Sequence, residues 1–144
     1  MPYKYKIFEC NIDSDIAIDI LDSINQTSES AEIHIFEDKN LSSDLIHFKK
    51  SNKNYYKTNL TKTEIYIEGV ALFNIDEKGC SIKYAFDKTP DMTSFFSKLL
   101  NHVIPYALYM QRRFILHASG VSCNNEGFIF LGRSGAGKSS LAAS

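Results

Sequence analysis

The sequence predicts a mixed α/β chain, α+β overall, and three observations carry that prediction. Apolar residues alternate with polar ones from residue 3 to about residue 88, as half-buried strands do. After Thr89-Pro90-Asp91 the apolar spacing lengthens to a helical period, and beyond Phe114 short apolar runs lead into a glycine-rich stretch. These shifts divide the chain into a β-rich region, 1–88, and a second region, 89–144, built as helix, strand hairpin, loop and first helix turn.

In order along the chain, Tyr3/Tyr5/Ile7, Ile16/Ile18/Ile20, Ile33/Ile35 and Ile65/Ile67 each present one apolar face at a period of two, which predicts strands. Polar clusters at Asp22-Ser23 with Asn25 to Ser30, at Glu37 to Ser43 and at Ser51 to Asn54 read as turns, and a meander is the simplest arrangement that joins the strands. Val70 to Ile75 and Cys80 to Phe86, linked by Asp76-Glu77-Lys78-Gly79, form a hairpin pattern with glycine at the left-handed position. Asp91 is placed to cap a helix whose apolar stripe is Phe95, Phe96, Leu99, Leu100 and Val103. Pro105 lacks a backbone N–H, so it is expected to break or kink that helix near Asn101 or His102, with a second short segment from Tyr106 to Gln111. Phe114 to Val121 and Gly127 to Leu131, flanking Asn124-Asn125, read as strand, turn, strand.

Composition excludes several classes. The chain has 144 residues, 44% hydrophobic and 23% charged, with 7 Gly and 3 Pro, the balance of an ordinary globular domain rather than a repetitive or low-complexity one. Sixteen Lys and Arg against 17 Asp and Glu give a net charge of −1, so there is no general basic field for nucleic acid or acidic lipid. Charged residues interrupt the first ten positions, which argues against a secretory signal, and the apolar run Val103 to Met110 is too short to span a bilayer. A soluble, cytoplasmic protein is the expectation, with no nucleic-acid or membrane partner. Cys10, Cys80 and Cys123 have no CxxC or Cys/His ligand spacing and read as reduced, structural residues, while His34, His47 and His102 read as surface or packing residues.

Five of the seven glycines lie at or after residue 120, and they frame the one strong chemical motif. Gly132-Arg133-Ser134-Gly135-Ala136-Gly137-Lys138-Ser139 fits G-x-x-x-x-G-K-[ST] at every fixed position, between an apolar strand and a run of helix formers, Ser140-Leu141-Ala142-Ala143. Phosphates need several backbone N–H donors converging within a few ångströms, which glycines permit because no Cβ obstructs the approach. The expected binding residues are Gly132, Ser134, Gly135, Ala136, Gly137, Lys138, Ser139 and Ser140. Lys138 supplies a mobile cation for the β/γ-phosphates, and Ser139 a hydroxyl for Mg²⁺. ATP and Mg²⁺ are the expected cofactors.

Arg113-Phe114-Ile115-Leu116-His117-Ala118-Ser119-Gly120-Val121, followed by Phe128-Ile129-Phe130-Leu131 and this loop, resembles HPr kinase/phosphorylase and related serine kinases. That family shares its P-loop nucleotide-binding core with phosphoenolpyruvate carboxykinases. The resemblance is strong from Arg113 onward, weaker through the Phe95 to Tyr109 helix, and over 1–88 extends only to a β-rich leader. It implies that His117 lies beside the nucleotide phosphates as a catalytic residue, and that the acceptor is a seryl hydroxyl of a protein, peptide or small molecule. The family's downstream metal-binding acidic pair and phosphate-steadying arginine have no counterpart within residue 144. The sequence therefore reads as the N-terminal part of a truncated kinase, short of the residues needed for transfer. Two other readings stay open: an ABC-type or other P-loop ATPase fragment, because Ser134 to Ser139 also resembles that loop, and a non-catalytic β-rich interaction module using Asn54-Tyr55-Tyr56 and Tyr84-Ala85-Phe86.

Overall fold

A computed structural model describes residues 2–7, 9–19, 21, 30–49, 54–59, 61–89, 91–133 and 135–143. Of the turns expected at Asp22-Ser23 with Asn25 to Ser30 and at Ser51 to Asn54, residues 22–29 and 51–53 lie outside the described residues, as do Ile20, Pro90 and Ser134. The chain is mixed α/β, mostly sheet with a few short helices, and it divides into two compact units, 1–113 and 114–144.

The first unit carries a seven-stranded sheet. Its strands are β1 (Tyr3–Ile7), β2 (Cys10–Ser14), β3 (Ile33–Glu37), β4 (Tyr55–Thr58), β5 (Lys62–Ile67), β6 (Ala71–Asp76) and β7 (Ser81–Phe86), in spatial order β1-β2-β3-β7-β6-β5-β4. This is not the expected meander: β2 runs parallel to β3 and β3 parallel to β7, while the other neighbours are antiparallel. Parallel neighbours need crossovers, and α1 (Leu41–Lys49) lies in the connection that follows β3. The polar stretch Glu37 to Ser43, read from sequence as a turn, contains the start of that helix. Leu41, Leu45 and Phe48 form its apolar stripe at helical spacing and pack with Tyr66, Leu72 and Ala85.

Strand alternation explains how the sheet takes helices on both faces. Along β5 and β6, Ile65, Ile67, Ala71, Phe73 and Ile75 turn to the large core, and Tyr66 and Leu72 turn to α1. The large core is closed by α2 (Met92–Lys98), a π-helical turn (Leu99–Val103) and α3 (Ile104–Met110). Phe95 is fully buried there, with ring centroids 5.5 Å from Phe73, 5.1 Å from Tyr84 and 5.0 Å from Phe86. Residues 91–113 thus pack as part of the sheet's own core, and the compact unit extends to Arg113 rather than ending at residue 88.

Pro105 neither breaks nor ends the helical path. It sits in the first turn of α3, and the turn before it widens, so that the Ile104 N–H donates to Leu99 O, five residues back. The helix then stops in a Schellman motif. The Arg113 N–H donates to Leu108 O at 3.0 Å and the Arg112 N–H to Tyr109 O at 2.9 Å, with Arg112 held at φ 66°. Gln111 Nε2 donates to Gly79 O at 2.9 Å, and Arg113 forms an ion pair with Glu32.

The expected strand through Ile16, Ile18 and Ile20 is absent at the described positions. β2 ends at Ser14, and Asp15 then accepts the Glu37 N–H at 2.6 Å and the Tyr84 hydroxyl at 2.9 Å. Ile18 still reaches the core, in a turn whose N–H donates to the Tyr5 hydroxyl at 2.7 Å. The hairpin of β6 and β7 forms as read, with Gly79 at φ 71°. Asn54-Tyr55-Tyr56 leads into the edge strand β4, where both tyrosines are exposed, whereas Tyr84 is core. Cys10 is buried, Cys80 half-buried and Cys123 exposed, and all three are free thiols. Burial pushes the Cys10 thiol up to about 11. Among the described residues, no helix is long and apolar enough to cross a membrane.

Two backbone positions make opposite predictions. A Cβ at Gly79 would sit 2.2 Å from Ala107 O on a left-handed residue, so Gly79→Ala is expected to cost at least about 2 kcal/mol in urea unfolding. Arg112→Gly relieves left-handed strain at the helix end and, after the entropy of glycine is deducted, is expected to add about 0.5–1 kcal/mol in the same assay.

Buried tyrosines make a third. Burial, reinforced by the hydrogen bond to Asp87, pushes Tyr66 up to about 12, and burial with the Asp15 contact raises Tyr84 further. In the unfolded chain both release their protons near pH 10, so the stability they contribute is complete below about pH 10 and is lost as pH rises from there through 12. Urea midpoints should fall across that window, and Tyr84→Phe should flatten the fall.

Candidate functional site

The second unit places the motif residues. β8 (Ala118–Cys123) pairs antiparallel with β9 (Glu126–Leu131), and α4 (Lys138–Ala143) follows. The two strands are joined by Asn124 and Asn125, both with positive φ (52° and 67°), the backbone that a two-residue type I′ hairpin requires. Asparagine tolerates that region, so this turn is legible in the sequence. β8 begins at Ala118, not at Phe114 as expected. Ala118 pairs with Leu131, the last residue of β9, so residues 114–117 have no strand on β9 to pair with before the chain turns at Gly132.

Gly132 to Gly137 link β9 to α4. Gly135 and Gly137 have φ of 80° and 78°, a left-handed backbone open only to glycine without strain, and a Cβ built on either would meet nothing within 4 Å. These positions therefore shape the loop through their dihedrals, and the space over them is open. Gly132 differs from them: its φ is not left-handed, and a Cβ there would lie 3.4 Å from Ala136 Cβ, at ordinary contact distance, so the loop folds back close over its own first residue. The Ala136 N–H donates to Arg133 O at 3.2 Å, which closes that turn.

Lys138 lies over this turn. Its Nζ donates to Gly132 O at 3.0 Å and to Arg133 O at 3.1 Å. The ammonium is thus held at the loop by carbonyls that carry no net charge, and an anionic phosphate oxygen is a stronger partner for it because it adds the attraction of opposite charges to the hydrogen bond. Ser139 and Ser140 are exposed on the first turn of α4, and Arg133 is exposed on the loop. Ser134 lies outside the described residues.

His117 precedes β8 by one residue and is exposed. A residue to which sequence reasoning assigned no role, Ser119, instead reaches the loop: its Oγ lies 3.3 Å from Ser139 Oγ. Ser119 is half-buried opposite Phe130 in the hairpin register. The only sequence signal for it is its place in Leu-His-Ala-Ser, because the contact depends on the strand pairing and not on spacing along the chain.

The strand that feeds the loop keeps Phe128, Ile129 and Leu131 at 48%, 62% and 64% exposure. Two strands and one six-residue helix offer too little surface to cover an apolar strand on both faces. Among the described residues, no group of three or more His, Cys, Asp or Glu is arranged to hold a metal ion. Comparison with protein-family models, with curated proteins and with solved structures finds nothing that matches this chain.

Proposed function

We propose that residues 114–144 capture the phosphates of a nucleotide, ATP with Mg²⁺, as the P-loop of an HPr-kinase-like serine kinase with a phosphoenolpyruvate carboxykinase-like core. The observation that carries this reading is the strand-loop-helix passage from β9 to α4, in which every fixed position of G-x-x-x-x-G-K-[ST] is filled and Gly135 and Gly137 adopt positive φ beneath open space. The residues fit the ligand. Backbone unobstructed by Cβ atoms can approach phosphate oxygens, Lys138 is already at the loop on two backbone carbonyls, and Ser139, the next residue, supplies a hydroxyl for the metal.

The division of labour follows from charge. Phosphoryl transfer to a seryl hydroxyl needs carboxylates to hold metal and to orient the nucleophile. Within 114–144 the single acidic residue is Glu126, at the turn end of β9, away from the loop. The reading therefore assigns nucleotide capture to these residues and transfer to carboxylates outside them. His117, one residue before β8, is the residue that the family resemblance assigns to the transferring phosphate.

Calorimetric titration of the whole chain with ATP in the presence of Mg²⁺ tests this. Lys138→Ala removes a charge-assisted bond of about 1.5–3 kcal/mol, so affinity is expected to fall roughly 10- to 100-fold. Equal affinities for the variant and the parent chain would overturn the assignment of the loop.

A further inference from the structure

We propose that Ser119 is a positioning residue for the divalent cation, acting through Ser139; the inference rests on the nucleotide-binding reading above. Among the described residues, the hydroxyl of Ser119 is the hydrogen-bond partner of the Ser139 hydroxyl, at 3.3 Å, although the two lie 20 residues apart in the chain. A serine hydroxyl has one proton to donate and two lone pairs. When Ser139 offers a lone pair to a cation, its own O–H must turn away from the positive charge and find an acceptor. Ser119 Oγ is in place to accept that proton. With that proton given to Ser119, both lone pairs of the Ser139 oxygen are left for the cation.

The fold gives Ser119 the rigidity this role needs. It sits inside β8, directly across from Phe130 on β9, and β9 is the strand that runs into the loop. The hairpin register thus sets where the Ser119 oxygen stands relative to the first turn of α4. Ser119 itself is half-buried, whereas Ser139 is exposed on the first turn of α4, so the strand residue is the more fixed member of the pair. Ser119 touches neither phosphate nor metal in this arrangement; its effect reaches the cation only by orienting Ser139.

The test measures ATP binding to the full chain by fluorescence titration, in excess EDTA and across a Mg²⁺ series, for the parent chain, Ser119→Ala and Ser119→Thr. One neutral hydrogen bond corresponds to roughly a 3- to 10-fold effect. Ser119→Ala is expected to leave affinity in EDTA unchanged and to raise the Mg²⁺ concentration at half-effect by that factor, and Ser119→Thr, which keeps the hydroxyl, is expected to restore it. An alanine variant with the parent's Mg²⁺ dependence overturns the inference while leaving the nucleotide-binding reading intact. Equal losses with and without Mg²⁺, or a loss shared by the threonine variant, also overturn it, because they mark Ser119 as a determinant of loop shape. If the parent chain binds no ATP in either condition, the nucleotide-binding reading and this inference fall together.

Discussion

The seven-stranded unit depends on the burial of Phe95. Its ring meets Phe73, Tyr84 and Phe86 from the sheet and Phe96 from its own helix, so a single side chain ties the β6–β7 hairpin to the helix that follows it. Aromatic pairs at these separations add to the area they remove from water, and the tilted and edge-on geometries suit the ring quadrupoles. With that contact made, the helix lies along the sheet and Leu99, Val103, Ile104, Ala107 and Leu108 follow it into the core. The widened turn at Leu99–Val103 lets the helical path pass Pro105 without leaving the sheet surface. At its far end the helix is secured by Gln111 and Arg113 to Gly79 and Glu32, and Gly79 can serve there only because it carries no side chain.

The second unit is organised by backbone rather than by a core. Its apolar strand is largely exposed, and its distinctive features are dihedral: two asparagines that turn the hairpin and two glycines that open the loop. Lys138 and Ser139 take their places from that backbone, and each is held by local contacts, Lys138 by loop carbonyls and Ser139 by Ser119.

Much of the fold was legible wherever local physics dominates. The β6–β7 hairpin, the helix stripe through Phe95 and Leu99, the Asn124-Asn125 turn and the loop glycines each follow from periodicity or from a dihedral that one residue type tolerates. The failures have a shared cause. The Ile16 to Ile20 alternation met the strand pattern, yet Asp15 draws the chain out of the sheet by binding Glu37 and Tyr84, partners 22 and 69 residues away. Helix α1 was hidden because its first turn is polar, although Leu41, Leu45 and Phe48 already have helical spacing.

For this protein, the sequence by itself determined the strand-rich first region, the left-handed turn glycine at 79, and the motif from Gly132 to Ser139 with the types of residue that phosphate recognition needs. Each of these is a local property, set by side-chain period or by the absence of a Cβ. Only the tertiary structure decided the parallel pairing of β2, β3 and β7, the inclusion of 91–113 in the sheet's core, and the meeting of Ser119 with Ser139. Those depend on which surfaces bury one another and on strand register, and register places residues side by side that no spacing along the chain identifies.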